Sequence, residues 1–378
     1  MSRLNFCLIL AICCLLISCS SKDESNSEIK FIDLDKMENI SDHIENIYFV
    51  ALESKDKAVI GEIAEIRFYN NLLYIKNNRG NELFVFDKSG KHVYTFDHYG
   101  QGPNEYLSLR NYYVDEKGIL VYDNIGGKLL QYDHNNNLME KSDLGNGERF
   151  CIKNKDQYIL FEDSPIEGKV SLIFYDSNKK QEKTIDLAYK RNKVYNFDYK
   201  PLSIIDDVLY INMLLDNNLY YFDDKSEQIE VKYILDYGDK NLPKDYRINN
   251  INKLNIVSEL LKMTLNNKMV LGVESIFQHN SWIVTSINIS FGRNIICYSP
   301  KKQKYYSLSE TEYLFECFDN SIYVDDEFII TTLQAEYYDQ FKELIGSSFM
   351  GKHAEQLLRL PPVDEEDNPI VCFIKLKD

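Results

Sequence analysis

The chain has 378 residues, with 43 Lys and Arg against 59 Asp and Glu, for a formal net charge of −16. So acidic a surface argues against nucleic acid as a partner, because phosphate backbones need a basic face. Tyr and Phe are abundant at 28 and 20 residues while Trp occurs once, a composition that suits half-buried strands.

At the N-terminus Arg3 precedes an apolar run from Leu4 to Ile17. The run is short for a bilayer span and predicts a signal peptide over residues 1–18. It ends in Leu16-Ile17-Ser18-Cys19, which resembles a bacterial lipobox and makes Cys19 the expected lipidation site. Residues 19–27 form a polar tether with nothing to bury. Within it Lys22-Asp23-Glu24 resembles the surface-export signal of Bacteroidetes lipoproteins, so the expected address is the outer membrane at the cell surface, with a periplasm-facing lipoprotein as the alternative. The membrane is then a partner through the N-terminal lipid.

From residue 28 to the end, a strand motif governs the chain. Leu83-Phe84-Val85-Phe86-Asp87 is followed by Leu129-Leu130-Gln131-Tyr132-Asp133, Leu172-Ile173-Phe174-Tyr175-Asp176 and Leu219-Tyr220-Tyr221-Phe222-Asp223. Degenerate copies stand at Ile295–Ser299 and Ile370–Lys375. The first four copies recur at roughly 45-residue intervals, the size of a four-stranded propeller blade. In the first unit Ile63–Phe68, Leu72–Ile75, Leu83–Asp87 and His92–Asp97 alternate with Asn- and Gly-rich turns, and the second unit repeats that order. The expectation is an all-β, six-bladed β-propeller over residues 28–378. Lys30-Phe31-Ile32-Asp33-Leu34 matches Lys183-Thr184-Ile185-Asp186-Leu187, a fourth strand, in its Lys, Ile, Asp and Leu. Residues 29–34 are therefore expected to pair with residues 370–376 and close the ring, removing an open sheet edge.

Tyr48–Glu53, Ile60–Ile63, Leu83–Gly90 and Gly100-Gln101-Gly102-Pro103-Asn104-Glu105-Tyr106 resemble the six-bladed β-propeller lipoproteins of Bacteroidetes, relatives of NHL-repeat propellers. The resemblance implies this fold and an envelope location. It implies no reaction and no catalytic residue.

Two long steps between motif copies hold helical insertions at about 241–271 and 335–368, the second with Tyr337, Tyr338, Phe341, Leu344 and Ile345 at helical spacing. Both fall on the face that also carries the blade-to-blade crossovers. The Gly-Pro crossover from Asp97 to Tyr106 shares that face, and it supplies the candidate ligand-binding set: His98, Tyr99, Gln101, Asn104, Glu105 and Tyr106, with Arg79 and Arg110 nearby for an anionic group. No HExxH, GxSxG or Walker motif occurs, and Asp133–Asn137 lacks the Gly and Glu of a calcium loop, so no cofactor or metal is expected. Cys151, Cys297, Cys317 and Cys372 remain beyond the signal and are expected to be buried free thiols. The function that fits is binding of a glycan, peptide or envelope protein at the insertion-bearing face. A hydrolase or lyase at the channel mouth, and a structural subunit of an outer-membrane assembly, stay open as alternatives.

Overall fold

In the computed structural model the described residues are 28–54, 58–78, 80–153, 157–164, 169–188, 200–213, 215–243, 269–289, 292–308, 323–324, 327–345 and 360–377. Three N-terminal strands come first: β1 (Glu28–Phe31), β2 (Glu38–Asn39) and β3 (Ile44–Ala51). Blade one is β4 (Ile63–Tyr69), β5 (Leu72–Asn77), β6 (Leu83–Asp87) and β7 (His92–Phe96). Blade two is β8 (Asn111–Asp115), β9 (Gly118–Asp123), β10 (Lys128–Tyr132) and β11 (Leu138–Asp143). Blade three is β12 (Arg149–Lys153), β13 (Gln157–Ser164), β14 (Lys169–Tyr175) and β15 (Gln181–Ala188). Blade four is β16 (Leu202–Ile205), β17 (Val208–Asn212), β18 (Asn218–Asp223) and β19 (Gln228–Asp236). Blade five is β20 (Val270–His279), β21 (Trp282–Ile289), β22 (Gly292–Ser299) and β23 (Lys304–Ser307). Blade six takes β24 (Tyr323–Val324), β25 (Ile329–Leu333) and β26 (Ile370–Leu376) from the C-terminal part and β3 from the N-terminal part. The result is the six-bladed propeller that the repeats imply, with blades one to five continuous meanders and blade six completed by β3.

The repeated motif has a local cause. In four blades its terminal Asp ends the third strand and seeds the turn to the fourth. Asp87 Oδ1 accepts the Ser89 and Lys91 N–H groups, Asp133 Oδ1 those of Asn135 and Asn137, and Asp176 Oδ1 those of Asn178 and Lys180. Asp223 does the same for Lys225 and Ser226. These are Asx turns, which let a carboxylate stand in for a backbone acceptor. Each turn then passes through a left-handed residue: Gly90, Asn136, Lys179 and Glu227, with Gln303 in blade five. The apolar residues of the motif alternate between the two faces of their blade, and each face packs on a neighbouring blade. The core is accordingly divided into six apolar clusters, one per seam between blades.

The ring closes as expected, by an N-terminal strand on the C-terminal blade, but the strand is not the expected one. Residues 29–34 do not meet β26. Instead β3 pairs antiparallel with β26, from Ile370 opposite Ala51 to Leu376 opposite Ile44. β1 pairs in parallel with β19 on the outer edge of blade four, and β2 does so with β23 on blade five. The N-terminal segment thus runs along the outer edges of blades four and five before completing blade six. The physical reason is apolar content. Strand β3 buries Ile44, Ile47 and Phe49 in the seam between blades five and six and Val50 in the seam between six and one. The Glu-Ile-Lys-Phe of β1 cannot fill both, and its Phe31 is exposed. Ion pairs fix the strap, Lys240 Nζ to Asp35 Oδ1 at 2.5 Å and Lys304 Nζ to Glu38 Oε1 at 2.5 Å.

Of the helical insertions, the structure shows α1 (Tyr338–Ile345), preceded by a 3-10 turn at Ala335–Tyr337. Tyr338 and Phe341 are buried in the seam between blades five and six, so this helix packs on the ring. The expected helix near Leu357 and the insertion from 244 to 268 lie outside the described residues, as do Cys19 and Cys317. No described helix is long and apolar enough to cross a membrane.

Candidate functional site

The Gly-Pro crossover between β7 and β8 is a packed element. Tyr106 is fully buried among Phe96, Leu109 and Tyr132, and its hydroxyl donates to Asn81 O at 2.6 Å. Burial pushes the Tyr106 phenol well above its ordinary range. The half-buried His98 ring lies 4.9 Å from Phe96 and 4.7 Å from Tyr132. Glu105 turns back into its own loop, where Oε2 accepts the Gly102 N–H at 2.6 Å. That oxygen lies 2.0 Å from where a Cβ on Gly100 would be, so a side chain there would push the Glu105 carboxylate aside. Of the expected ligand-facing residues, Tyr106 is thus buried in the crossover, while Glu105 and His98 are half-buried. Asn104 lends its carbonyl to the Tyr132 hydroxyl at 2.9 Å. The side chains of Tyr99, Gln101, Asn104 and Arg110 are exposed on this rim. Arg79 lies outside the described residues.

A second set of polar groups lies on the ring axis, and none of it was singled out from the sequence. Inner strand β4 alternates, so Glu65 and Arg67 share one face two residues apart. Arg67 Nη2 donates to Glu65 Oε1 at 2.5 Å. The guanidinium carbon stands 4.8 Å from the Tyr113 ring centre, 5.4 Å from Tyr323 and 5.8 Å from Tyr112. Those rings come from the inner strands of blades two and six. From the opposite side of the ring, at the start of blade four, Lys200 Nζ approaches the same Glu65 Oε1 at 3.7 Å and lies 5.5 Å from the Phe277 ring of blade five. Contacts from blades one, two, four, five and six therefore converge on the axis. At the level of Glu65, counting along the inner strands, Asn111 and Arg149 occupy blades two and three. Glu274 is buried beside them in blade five, its carboxylate accepting from Asn288 Nδ2 at 3.0 Å and Ser286 Oγ at 3.2 Å. Lys200 is anchored there through its N–H to Glu274 O at 2.7 Å.

The electrostatics follow from that packing. Burial works against the Arg67 charge, but Glu65 and the oxygens of Tyr113, Tyr323 and Tyr112 outweigh it and hold the guanidinium above its usual range. Burial pushes the phenols of Tyr112 and Tyr113 up, so both stay protonated, with hydroxyls donated to Tyr74 O at 2.8 Å and Phe150 O at 2.9 Å. Two buried atoms of this layer, Arg67 Nε and Asn111 Oδ1, have no hydrogen-bond partner among the described residues.

The sequence did carry a signal for half of this set. In Ile63-Ala64-Glu65-Ile66-Arg67-Phe68 a Glu and an Arg sit at alternate positions of an otherwise apolar strand, which no solvated strand face of a propeller interior accounts for. Lys200 gives no such signal, because it precedes its strand and follows no repeat.

Other chemistry is sparse. Cys151, Cys297 and Cys372 are free and buried as expected, and burial pushes the first two thiols up to about 12. Among the described residues no three His, Cys, Asp or Glu side chains gather closely enough to hold a metal. A cavity of about 400 Å³ opens at the closing seam, lined by Glu53, Ser89, Lys91, Pro361, Pro362 and Asp367 among others.

Comparisons with known proteins place this architecture. A candidate exported protein of Bacteroides fragilis NCTC 9343 superposes with a TM-score of 0.66 at 19% identity, over 93% of this chain and 99% of its own. A member of the DUF4221 family from Bacteroides vulgatus ATCC 8482 reaches 0.56 at 14% identity, over 89% and 98%. At such identities the likeness establishes the propeller and no more. No curated protein matches the chain. The profile of one family, described as a domain of unknown function (DUF4934), matches residues 28–375, and the chain belongs to that family.

Proposed function

We propose that this protein is a lipid-anchored propeller of the cell envelope that binds a ligand at its axis, on the side where the crossovers and insertions gather. Anchorage rests on the lipobox-like Leu16–Cys19 and on the polar tether that leads to β1. The partner is a glycan, peptide or envelope protein that presents a group to the channel.

One observation carries the binding reading: Lys200 and Arg67 converge from opposite blades on a single oxygen of the buried Glu65. Removing such charges from water costs several kcal/mol, and apolar side chains of similar size usually stabilise a core at least as well. A ring held by six apolar seams has no structural need of the cluster. Charged groups gathered where a channel opens are what a binding site requires.

A thermal-shift screen of the purified protein against glycan and peptide panels tests this. Ligand at a hundredfold excess over its Kd adds about 2.7 kcal/mol, a readily visible rise in Tm. The expected result is a saturable shift with one ligand class that disappears in Lys200→Met and survives Tyr99→Ala. A shift untouched by Lys200→Met, or no shift with any class, would sink the proposal.

A further inference from the structure

We infer that the cavity at the closing seam is a second binding site, separate from the axial cluster, and that it takes a neutral sugar ring. Three stretches far apart in sequence form its walls: residues 51–54 after the closing strand, residues 89–91 in the β6–β7 turn, and residues 361–363 with 367–368 ahead of β26. Hydrogen bonds tie all three together. The Asn368 N–H donates to Ser54 Oγ at 2.8 Å, and Asn368 Nδ2 donates to Glu53 O at 2.8 Å. The Glu53 N–H donates in turn to Gly90 O at 2.7 Å, and Glu53 Oε2 accepts the His92 N–H at 3.1 Å. The frame is therefore set before any ligand arrives, which lowers the ordering cost of binding. Its volume of about 400 Å³ lies at the low end of small-molecule sites, with room for one or two rings and not for a long chain.

The lining selects the ligand. One wall is apolar, with Pro361 and Pro362 exposed side by side and Val363 half-buried next to them. The rest mixes donors with acceptors. The exposed Lys91 Nζ and the hydrogen of the Ser54 hydroxyl have no hydrogen-bond partner among the described residues. Asp367 Oδ2 accepts the Asp364 N–H at 2.8 Å, which leaves Oδ1 for a donor. Ser89 donates its hydroxyl to Asp87 Oδ1 at 2.6 Å and keeps its oxygen as an acceptor. Both signs of charge line the cavity, Lys91 against Glu53 and Asp367, so selection rests on hydrogen-bond pattern and not on net charge. A phosphate or carboxylate only accepts, and it would meet the carboxylates of Asp367 and Glu53. An ammonium group only donates, and it would meet that of Lys91. A hydroxyl does both. A ring that carries several hydroxyls and an apolar C–H face fits the lysine, the carboxylate and the prolines together.

Calorimetry with defined probes tests this. Glucose, galactose and N-acetylglucosamine are titrated into the purified protein, with glucuronate, galacturonate and glucosamine as charged counterparts of the same rings. The expected result is saturable binding of at least one neutral sugar, with its charged counterpart at least about tenfold weaker because like charges would face each other. Lys91→Ala and Asp367→Asn should each weaken binding about fivefold or more. Both positions lie at the surface, and Asn keeps an oxygen for the Asp364 N–H. Lys200→Met at the axis should leave this affinity unchanged. Hydrogen exchange under the tightest sugar should slow in residues 51–54 and 361–368 and not along β4. Failure of all three neutral sugars to bind, a charged counterpart that binds as tightly, or full affinity in both seam variants overturns the inference. So does protection along β4, which would move the sugar to the axis. The axial reading keeps its own test in Lys200→Met, so either site can fail without the other.

Discussion

The seam between blades two and three and the seam between blades six and one do the same job with different means. At the first, the chain itself continues from β11 to β12, and Tyr122, Phe150 and Tyr158 fill the gap. Its turn residue is Lys179, left-handed at φ 60° and paired with Glu140 of the preceding blade at 2.5 Å. At the second, the ring is finished by a strand from the far end of the chain. The equivalent turn residue is Gly90, because a Cβ there would stand 2.0 Å from Ala51 O of the closing strand. Buried Asn368 adds what covalent continuity supplies elsewhere. Its Nδ2 donates to Glu53 O at 2.8 Å and Ala58 O at 2.5 Å, and its Oδ1 accepts the Ile60 N–H at 2.6 Å. The continuous seam has polar contacts of its own, such as the Tyr113 hydroxyl on Phe150 O at 2.9 Å, whereas at the closing seam one buried side chain ties the two ends of the chain together.

The largest effect should come from removing the closing strand. A chain beginning at Ile60 lacks β3, exposes the full edge of β26 and opens two apolar seams. It is expected to yield no soluble monomer, because an unpaired apolar edge strand templates aggregation. A chain beginning at Asp33 loses only the parallel β1 on blade four and should stay monomeric, with a Tm a few degrees lower. Size-exclusion chromatography of the two separates closure from strapping. Equal behaviour would mean that β3 is not what seals the ring.

Next in size is Asn368→Ala. It leaves the Ile60 N–H and the carbonyls of Glu53 and Ala58 without this partner in a seam where Asn368 is 2% exposed. Each stranded group costs about 1–3 kcal/mol, so a loss of roughly 3 kcal/mol or more in urea denaturation is expected. An asparagine at the blade two to three seam, the exposed Asn178 beside Lys179, should cost far less when replaced.

What the sequence disclosed divides along the same line. Blade count, strand order and the turns between strands were legible because each is written within a few residues and then repeated. Closure of the C-terminal blade by an N-terminal strand was legible too, but its segment was misassigned, because the match of Lys30–Leu34 to a fourth strand is a resemblance in pattern, while the choice of partner depends on how much apolar surface two seams must bury. The crossover was found, but its inward turn was not. Glycines at 100 and 102 permit both a ligand-facing loop and one folded over Glu105, and only the position of that carboxylate decides between them. The axial cluster escaped for a related reason, since beyond the Glu65–Arg67 pair its members come from four other blades and share no local spacing.

The smallest effect tests the seam between blades five and six, where the N-terminal strap and the C-terminus meet. The His43 ring lies tilted 5.4 Å from Trp282 and edge-on 4.7 Å from Tyr306, and its ring nitrogens face Lys302 Nζ at 3.1 and 3.3 Å. Burial and Lys302, with Lys377 behind it, hold the His43 pKa below its ordinary 6.5, against the opposing pull of Asp42 and Glu38. The fold therefore binds this proton less readily than the unfolded chain does. Its contribution is complete above pH 6.5 and is lost as pH falls below that value toward the lowered one. Urea midpoints at pH 7.5 and 5.5 should show a loss in the native chain that shrinks in His43→Phe, which keeps an aromatic ring against Trp282 and Tyr306 but cannot titrate. The same comparison in Lys302→Met should shrink the loss as well, because the ammonium is one of its causes. A pH response identical in all three chains would mean that the seam where the two ends of the protein meet does not sense protonation of this histidine.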